Sequence, residues 1–187
     1  MSQNINVVEV SKNAIEGNMA ARMMLTMFYA VEMAKALSWD TEKRYIHLLS
    51  CQTMIASGES RLMLAVDQAG MPHGISVDTK TTNQKIRRLD VLMVAEAFRD
   101  NGIGATLLGT VKKDHDIHGF ATPVSVYWYE KQGFRNLGKS EDGTIEIFSG
   151  DYSPDYEFRI AAPVLQAHDR AAIEQLKAME REMGIKS

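Results

Sequence analysis

"FRDNGIGATLL", residues 98–108, is the stretch on which the fold turns. A long β-favouring run, "IRRLDVLMVAEAF" (86–98), leads into it. A helix-favouring run from about 104 to 116 leads out of it, with His118 and Gly119 as its stop signal. A helix that starts straight after a strand presents backbone N–H groups that have no intrahelical acceptor, and its end carries a partial positive charge. Gly102 and Gly104 remove side chains that would hold a ligand off that backbone, and Arg99 adds a charge-assisted donor. The combination suits a phosphate. It equally suits a plain strand-to-helix turn, because a Gly-x-Gly pair alone is weak evidence. Two familiar phosphate loops are excluded: no Gly-Lys-Ser/Thr ending follows, and the third glycine of a dinucleotide fingerprint is missing.

The rest of the chain bounds what such a loop serves. With 187 residues it is long enough for one full-sized core, and 45% hydrophobic and 24% charged residues are ordinary for a globular protein. A formal net charge of −3 argues against a general polyanion binder, although Arg87, Arg88, Lys112 and Lys113 form a candidate basic patch for nucleic acid. Cys51 is the single cysteine, so neither an intrachain disulfide nor a cysteine-based zinc site is available. No targeting leader is read at the start, and no apolar run of membrane-spanning length is present. The expectation is a cytoplasmic protein without a membrane partner.

Outward from the loop the pattern alternates. Residues 19–37 are rich in helix formers, and 41–57 read as a second helix, capped by Asp40 or Thr41 and stopped by Gly58. Residues 60–67 and 75–81 read as a hairpin of strands around the breaker-rich "QAGMPHG". After the loop come a short strand at 120–124, a short helix at 125–133, strands within "TIEIFSG" and "YEFRIAA", and a last helix from Pro163 to about Met183. In that helix Leu165, Ala172, Leu176, Met179 and Met183 share a face. The expected architecture is α/β (α+β): a mixed, mostly antiparallel twisted sheet flanked by helices. Residues 1–162 form the domain, and 163–187 an extra C-terminal helix packed on it or used in self-association as a homodimer.

Two separated motifs together resemble the GNAT superfamily of N-acetyltransferases. "VAEAFRDNGIGATLL" (94–108) is similar to its Gln/Arg-x-x-Gly-x-Gly/Ala loop through Arg99, Gly102 and Gly104, and "VYWYEKQGF" (126–134) is similar to its aromatic-Tyr-Glu-Lys-x-Gly-Phe segment. The likeness in pattern covers roughly 61–148. The resemblance implies acetyl-CoA as co-substrate and no metal. It places the pyrophosphate on Arg99, Asp100, Asn101, Gly102, Ile103 and Gly104, and the pantetheine arm along Met93 and Val94. It also implies that Tyr129 protonates the departing thiolate. A phenol, with an ordinary pKa near 10, is suited to that task. Asp90 and Glu96, on the strand before the loop, are the candidate bases for the attacking amine. In the family the first two helices shape the acceptor pocket, which points to Trp39 and Asp40; for Asp40 helix capping is the rival role.

The sequence departs from the family pattern in three places. Asp100 and Asn101 stand where the family often has glycine and a basic residue. Thr122 stands where an asparagine often precedes the second motif. Tyr129 follows Gly104 by only 25 residues (129 − 104), so the intervening helix or strand is trimmed. These departures favour the alternative of a catalytically degenerate binding or regulatory protein on the same fold. The implied acceptor is an amine on a small molecule, peptide, protein or charged tRNA. "DHDIH" (114–118) reads as histidines complementing a helix C-terminus rather than as a metal site. The methionines of 19–33 read as core, with an adaptable groove or dimer face as the rival.

Overall fold

The computed structural model describes residues 5–14, 17–37, 39–158, 163–182 and 184. Strand β1 (Asn6–Val10) is followed by helix α1 (Met19–Met27), which opens on Asn18, whose side-chain oxygen accepts from the Ala21 N–H at 2.9 Å. The helix continues through a π-wound stretch, Phe28–Glu32, into α2 (Met33–Ala36). Helix α3 (Thr41–Ser57) starts on the Asp40 carboxylate, which accepts from the Lys43 N–H at 2.7 Å. It ends on Gly58 at φ 81°, the left-handed conformation a glycine adopts without Cβ strain. Then come β2 (Ser60–Val66), β3 (Pro72–Lys80), β4 (Ile86–Val94), a 3-10 turn Glu96–Phe98, α4 (Ile103–Lys112), β5 (Asp116–Ala121), α5 (Val126–Lys131), β6 (Arg135–Lys139), β7 (Ile145–Phe148) and α6 (Ala167–Glu182).

The seven strands lie in the order β1-β2-β3-β4-β5-β7-β6. Neighbours are antiparallel except β4 and β5, which run parallel and pair only from Ile86↔Asp116 to Leu89↔Gly119. Alternate residues of each strand serve opposite layers. Leu62, Leu64, Ile75 and Val77 pack with Met24, Leu25, Tyr29 and Ile55 beneath α1–α3. Met63 and Ala65 meet Ile103 and Leu107 of α4 on the other face, where Leu108, Val111 and Tyr129 join Ile117 and Ile147. Burying each large aliphatic side chain of α4 in that layer contributes roughly 1.5–3 kcal/mol, which fixes the helix against the sheet.

Helix α6 packs on the outside of α3. Glu180 and Arg44, each 2% exposed, pair at 2.6 Å, the Thr41 hydroxyl donates to Glu180 at 2.7 Å, and the Tyr45 hydroxyl donates to Asp169 at 3.1 Å. Its inward face is Asp169, Ile173 and Glu180, whereas Met179 is exposed. The expected apolar stripe is thus displaced by an ionic anchor, and Pro163–Gln166 precede the helix in irregular structure.

Other expectations shift. The β-favouring run ends at Val94, and the 3-10 turn separates it from the loop. The helix expected to reach 116 stops at Lys112, because Asp116–Ala121 are taken into the sheet beside β4 and β7. His118 therefore sits in a strand, not at a helix end. The strand expected at 120–124 begins and ends earlier. Of the expected strand 156–162, residues 156–158 are irregular and 159–162 lie outside the described residues, as does Met183. Met24 and Met33 are core residues, but Met19, Met23 and Met27 are exposed. No helix among the described residues is long and apolar enough to cross a membrane.

Candidate active site

Strand β4 outruns its pairing with β5 by five residues, Asp90–Val94, so its backbone edge there faces a gap. A cleft of about 1180 Å³ fills that gap. The glycine loop forms one part of its wall, α5 another, and α1–α3 the rest.

The loop has a definite geometry. Asp100, at φ 65°, is the one non-glycine residue with positive φ among the described residues, and Gly102, at φ 77°, is the second left-handed step. The Asn101 amide braces the turn by donating to the Phe98 and Arg99 carbonyls at 3.3 and 3.0 Å. The first intrahelical bond of α4 runs from the Thr106 N–H to the Gly102 carbonyl, at 3.0 Å. The amides of Ile103, Gly104 and Ala105 are thus the unpaired donors of the helix start, and all three residues line the cleft. Gly104 has a packing reason to be glycine: a Cβ there would stand 3.2 Å from Trp128 Cζ2 and 3.6 Å from Val94 Cγ2. Gly102 would meet nothing, so its requirement is conformational. This donor set fits an acyl-CoA pyrophosphate, with the open β4 edge at Met93 and Val94 available to an amide-bearing arm.

Arg99 is already engaged. Its Nε donates to the Val94 carbonyl at 3.2 Å, and its Nη2 pairs with Glu32 of the π-wound stretch at 2.9 Å. The Ile103 side chain points into the core and leaves only its amide for the cleft. Asn101 is not among the lining residues; Asp100 is, and it is exposed.

Tyr129, on α5, is buried and lines the cleft, edge-on to Trp128 and Phe134. Burial pushes its phenol well above the ordinary value, so the group stays protonated through neutral pH. Its hydroxyl makes no hydrogen bond among the described residues.

Asp90 lies at the sheet floor of the cleft, on a β-bulge: Val77 pairs with Val91 but Asp78 with Leu89, leaving Asp90 without a partner across β3. Leu89 belongs to the α4 layer and Val91 to the α1–α3 layer. The bulge thus changes the phase of the strand at the carboxylate, as bulges near reactive sites do. Asp90 accepts a short bond from the Thr79 hydroxyl and pairs with Arg88 Nε at 3.0 Å. Burial nonetheless holds its carboxyl above the ordinary carboxylate value, against the opposing pull of Arg88 and Thr79. Glu96 lies on the exposed 3-10 turn, away from the cleft lining.

Trp39 lines the cleft under Lys43, whose Nζ sits 3.9 Å from its ring, and its indole N–H is buried without a partner among the described residues. Asp40 is spent on its capping bond outside the lining. Sequence reasoning missed Arg88 as a site residue, together with Glu32, His47 and Phe158, all of which line the cleft. Cys51 does too, but burial pushes its thiol up, with Asp90 adding, so it remains a thiol. The "RR" within "IRRLD" was a usable signal, because two adjacent strand residues point to opposite faces and cannot both be solvated on one patch. Arg87 is in fact buried and ion-paired with Asp78, which leaves no basic patch of four. Among the described residues no cluster of metal-ligating side chains is present.

A mixed sheet that opens between its parallel strands, with a bare helix N-terminus at the opening, defines the class of GNAT acetyltransferases. The model of the acetyltransferase (GNAT) domain matches residues 16–144, and the chain belongs to this family. A GNAT-family acetyltransferase from Staphylococcus aureus Mu50 superimposes with TM-score 0.58 at 15% identity, covering 77% of this chain and 97% of that one. An aminoglycoside 6'-acetyltransferase type Ii does so with TM-score 0.59 at 17% identity, covering 80% and 99%. Tetrahymena GCN5 gives TM-score 0.58 at 14% identity, covering 85% and 98%. At these identities the likeness speaks for the fold. No curated protein matches the sequence.

Proposed function

We propose that the protein is an acetyl-CoA-dependent N-acetyltransferase that acts on a primary amine by direct attack. The observation that carries this reading is the meeting, in one cleft, of unpaired helix-start amides, an open β4 edge, a protonated Tyr129 and the bulged Asp90. Bound acetyl-CoA supplies an activated acetyl group: the amine nitrogen bonds to the thioester carbon, the C–S bond breaks, and the sulfur leaves as a thiolate. The amides of Ile103, Gly104 and Ala105 bind the pyrophosphate, and the edge of β4 holds the arm in line with the gap. Asp90 takes the proton that turns an ammonium into a neutral amine. Tyr129 gives its proton to the departing sulfur and regains one from the acylated nitrogen. Burial suits both groups to these tasks, since it keeps the phenol protonated and raises the carboxyl toward a useful basicity. Cys51 needs no role, and no covalent enzyme intermediate is required. Of the two bases considered, Asp90 is preferred to Glu96 because it alone lines the cleft.

The test is thiol release from acetyl-CoA with a broad panel of primary amines. Amine-dependent release is expected. Binding of acetyl-CoA without turnover of any amine would instead favour a regulatory protein on this fold.

A further inference from the structure

We propose that the amine accepted here carries its own anionic group, held by Arg88, so that the acceptor is a small zwitterion of the amino-acid kind rather than a plain amine. This rests on the acetyl-transfer reading for its chemistry, but its evidence is separate.

The protein's arginines have different obligations, and of Arg44, Arg61, Arg87, Arg88 and Arg99 only Arg88 and Arg99 line the cleft. Arg44 is consumed by Glu180, Thr41 and the Trp39 carbonyl, and Arg87 by Asp78 and its carbonyl. Arg61 also turns to Asp78, and Arg99 is held by Glu32 and Val94. Arg88 lines the cleft with its side chain only 21% exposed, yet it donates no hydrogen bond to a described residue. Its guanidinium is faced by the rings of Phe158 at 4.0 Å and Phe120 at 5.6 Å, and its Nε lies 3.0 Å from Asp90 Oδ1 outside hydrogen-bonding alignment. Its Nε is buried without a hydrogen bond, a cost that the neighbouring Asp90 offsets, and its terminal nitrogens remain available to a ligand. A planar guanidinium held against a ring is pre-organised for two parallel bonds to a carboxylate or phosphate.

Asp90 supplies the other half. The Arg88–Asp90 pair places one positive and one negative group side by side on the cleft floor. A ligand with an ammonium and an anionic group on neighbouring atoms complements both, ammonium to Asp90 and anion to Arg88. The Asp90 contact is also where the proposed reaction needs the ammonium to lose its proton. Phe120 and Phe158 beside the pair, with Phe28 and Trp39 lining the same cleft, suit an apolar body.

Of the two rings beside Arg88, Phe120 lies within the residues that match the family model. Phe158 lies beyond residues 16–144 that match the family model. Its segment is tied down by the Tyr152 hydroxyl donating to Asp116 at 2.8 Å, Arg135 Nε donating to the Gly150 carbonyl at 2.6 Å, and the Glu157 N–H donating to the Thr82 hydroxyl at 2.8 Å. Connecting segments of this kind commonly carry specificity.

The experiment compares matched probes. L-phenylalanine, L-leucine, L-methionine, L-threonine and L-glutamine are each set against their α-methyl esters, and 2-aminoethyl phosphate against ethanolamine. Each is assayed by thiol release with acetyl-CoA and, without acetyl-CoA, by calorimetry. In the wild-type protein the anionic member of at least one pair is expected to be favoured by about ten- to hundredfold in kcat/KM, carried mainly by KM. Arg88→Gln brings that ratio to near unity, and Arg88→Lys leaves it in between. Esters and ethanolamine used as well as their anionic partners by the wild type would overturn the proposal, whether or not the variants fold. So would a preference that survives Arg88→Gln. If no thiol is released and acetyl-CoA does not bind, the acetyl-transfer reading falls and calorimetry decides this one. Anionic probes that bind and are weakened by Arg88→Gln uphold it, and no binding of any anionic probe refutes it.

Discussion

Replacing Glu32 with glutamine tightens the binding of acetyl-CoA, although Glu32 is not expected to touch it. In the ligand-free protein the Glu32 carboxylate holds Arg99 Nη2 at 2.9 Å, with the two side chains 29% and 46% exposed. Ion pairs this exposed contribute roughly 0.2–1 kcal/mol. Arg99 must give up that interaction, or share it, to reach a pyrophosphate bound at the start of α4. Glu32→Gln removes the competitor and also a negative charge near an anionic ligand. Converting 0.2–1 kcal/mol gives a gain in affinity of about 1.4- to 5-fold. Calorimetric titration at low and high ionic strength reads it directly, and the gain shrinks in high salt because exposed charges are screened. Weaker binding by Glu32→Gln at low salt would show that Glu32 positions Arg99 for the ligand rather than restraining it. A gain insensitive to salt would refute the electrostatic reasoning.

Tyr129→Phe keeps the ring between Trp128 and Phe134 and removes the acid, so kcat falls by about 10²–10⁴ with KM little changed; steady-state kinetics check this, and full turnover would remove the assignment. Asp90 must be ionised to accept a proton, so kcat/KM falls as pH drops through a pKa above the ordinary 3.8, and this limb is lost in Asp90→Asn. Over the same window the sign for folding is opposite: the folded state favours protonated Asp90, so its contribution to stability declines as pH rises through that raised pKa. Glu180→Ala leaves Arg44 buried without its carboxylate and costs about 3–5 kcal/mol, read as a lower Tm. Glu174→Ala, on the exposed face of the same helix, leaves Tm unchanged.

The parts of the fold that local chemistry dictates were legible. Asp40 and Gly58 mark the ends of α3 because one side chain satisfies the helix's first amides and the other residue tolerates positive φ. The Arg99–Gly104 loop and the Tyr129 helix were legible as motifs. Strand β6 was not, because "RNLGK" is exposed throughout and carries no alternation; only pairing with β7 makes it a strand. Strand β1 is likewise an edge strand, fixed by its register against β2. "DHDIH" read as the end of a helix, but Ile117 is fully buried in the sheet and His118 is held between Tyr156 and Glu146. Tertiary pairing overrode local propensity there. In the site, the bulge at Asp90 and the rings beside Arg88 depend on segments far apart in the chain. Hydrophobic period along β4 alone carries no sign of Phe158.

The central claim is that the bare amides at the start of α4 hold a pyrophosphate. Its most direct measurement is a calorimetric comparison of CoA with 4'-phosphopantetheine and with pantetheine, which keep the arm and thiol but lack the adenosine, and in the second case every phosphate. CoA is expected to bind at least tenfold more tightly than pantetheine, with an advantage that falls as salt rises. Equal affinities for CoA and pantetheine, or no gain from the phosphate of 4'-phosphopantetheine over pantetheine, would contradict it.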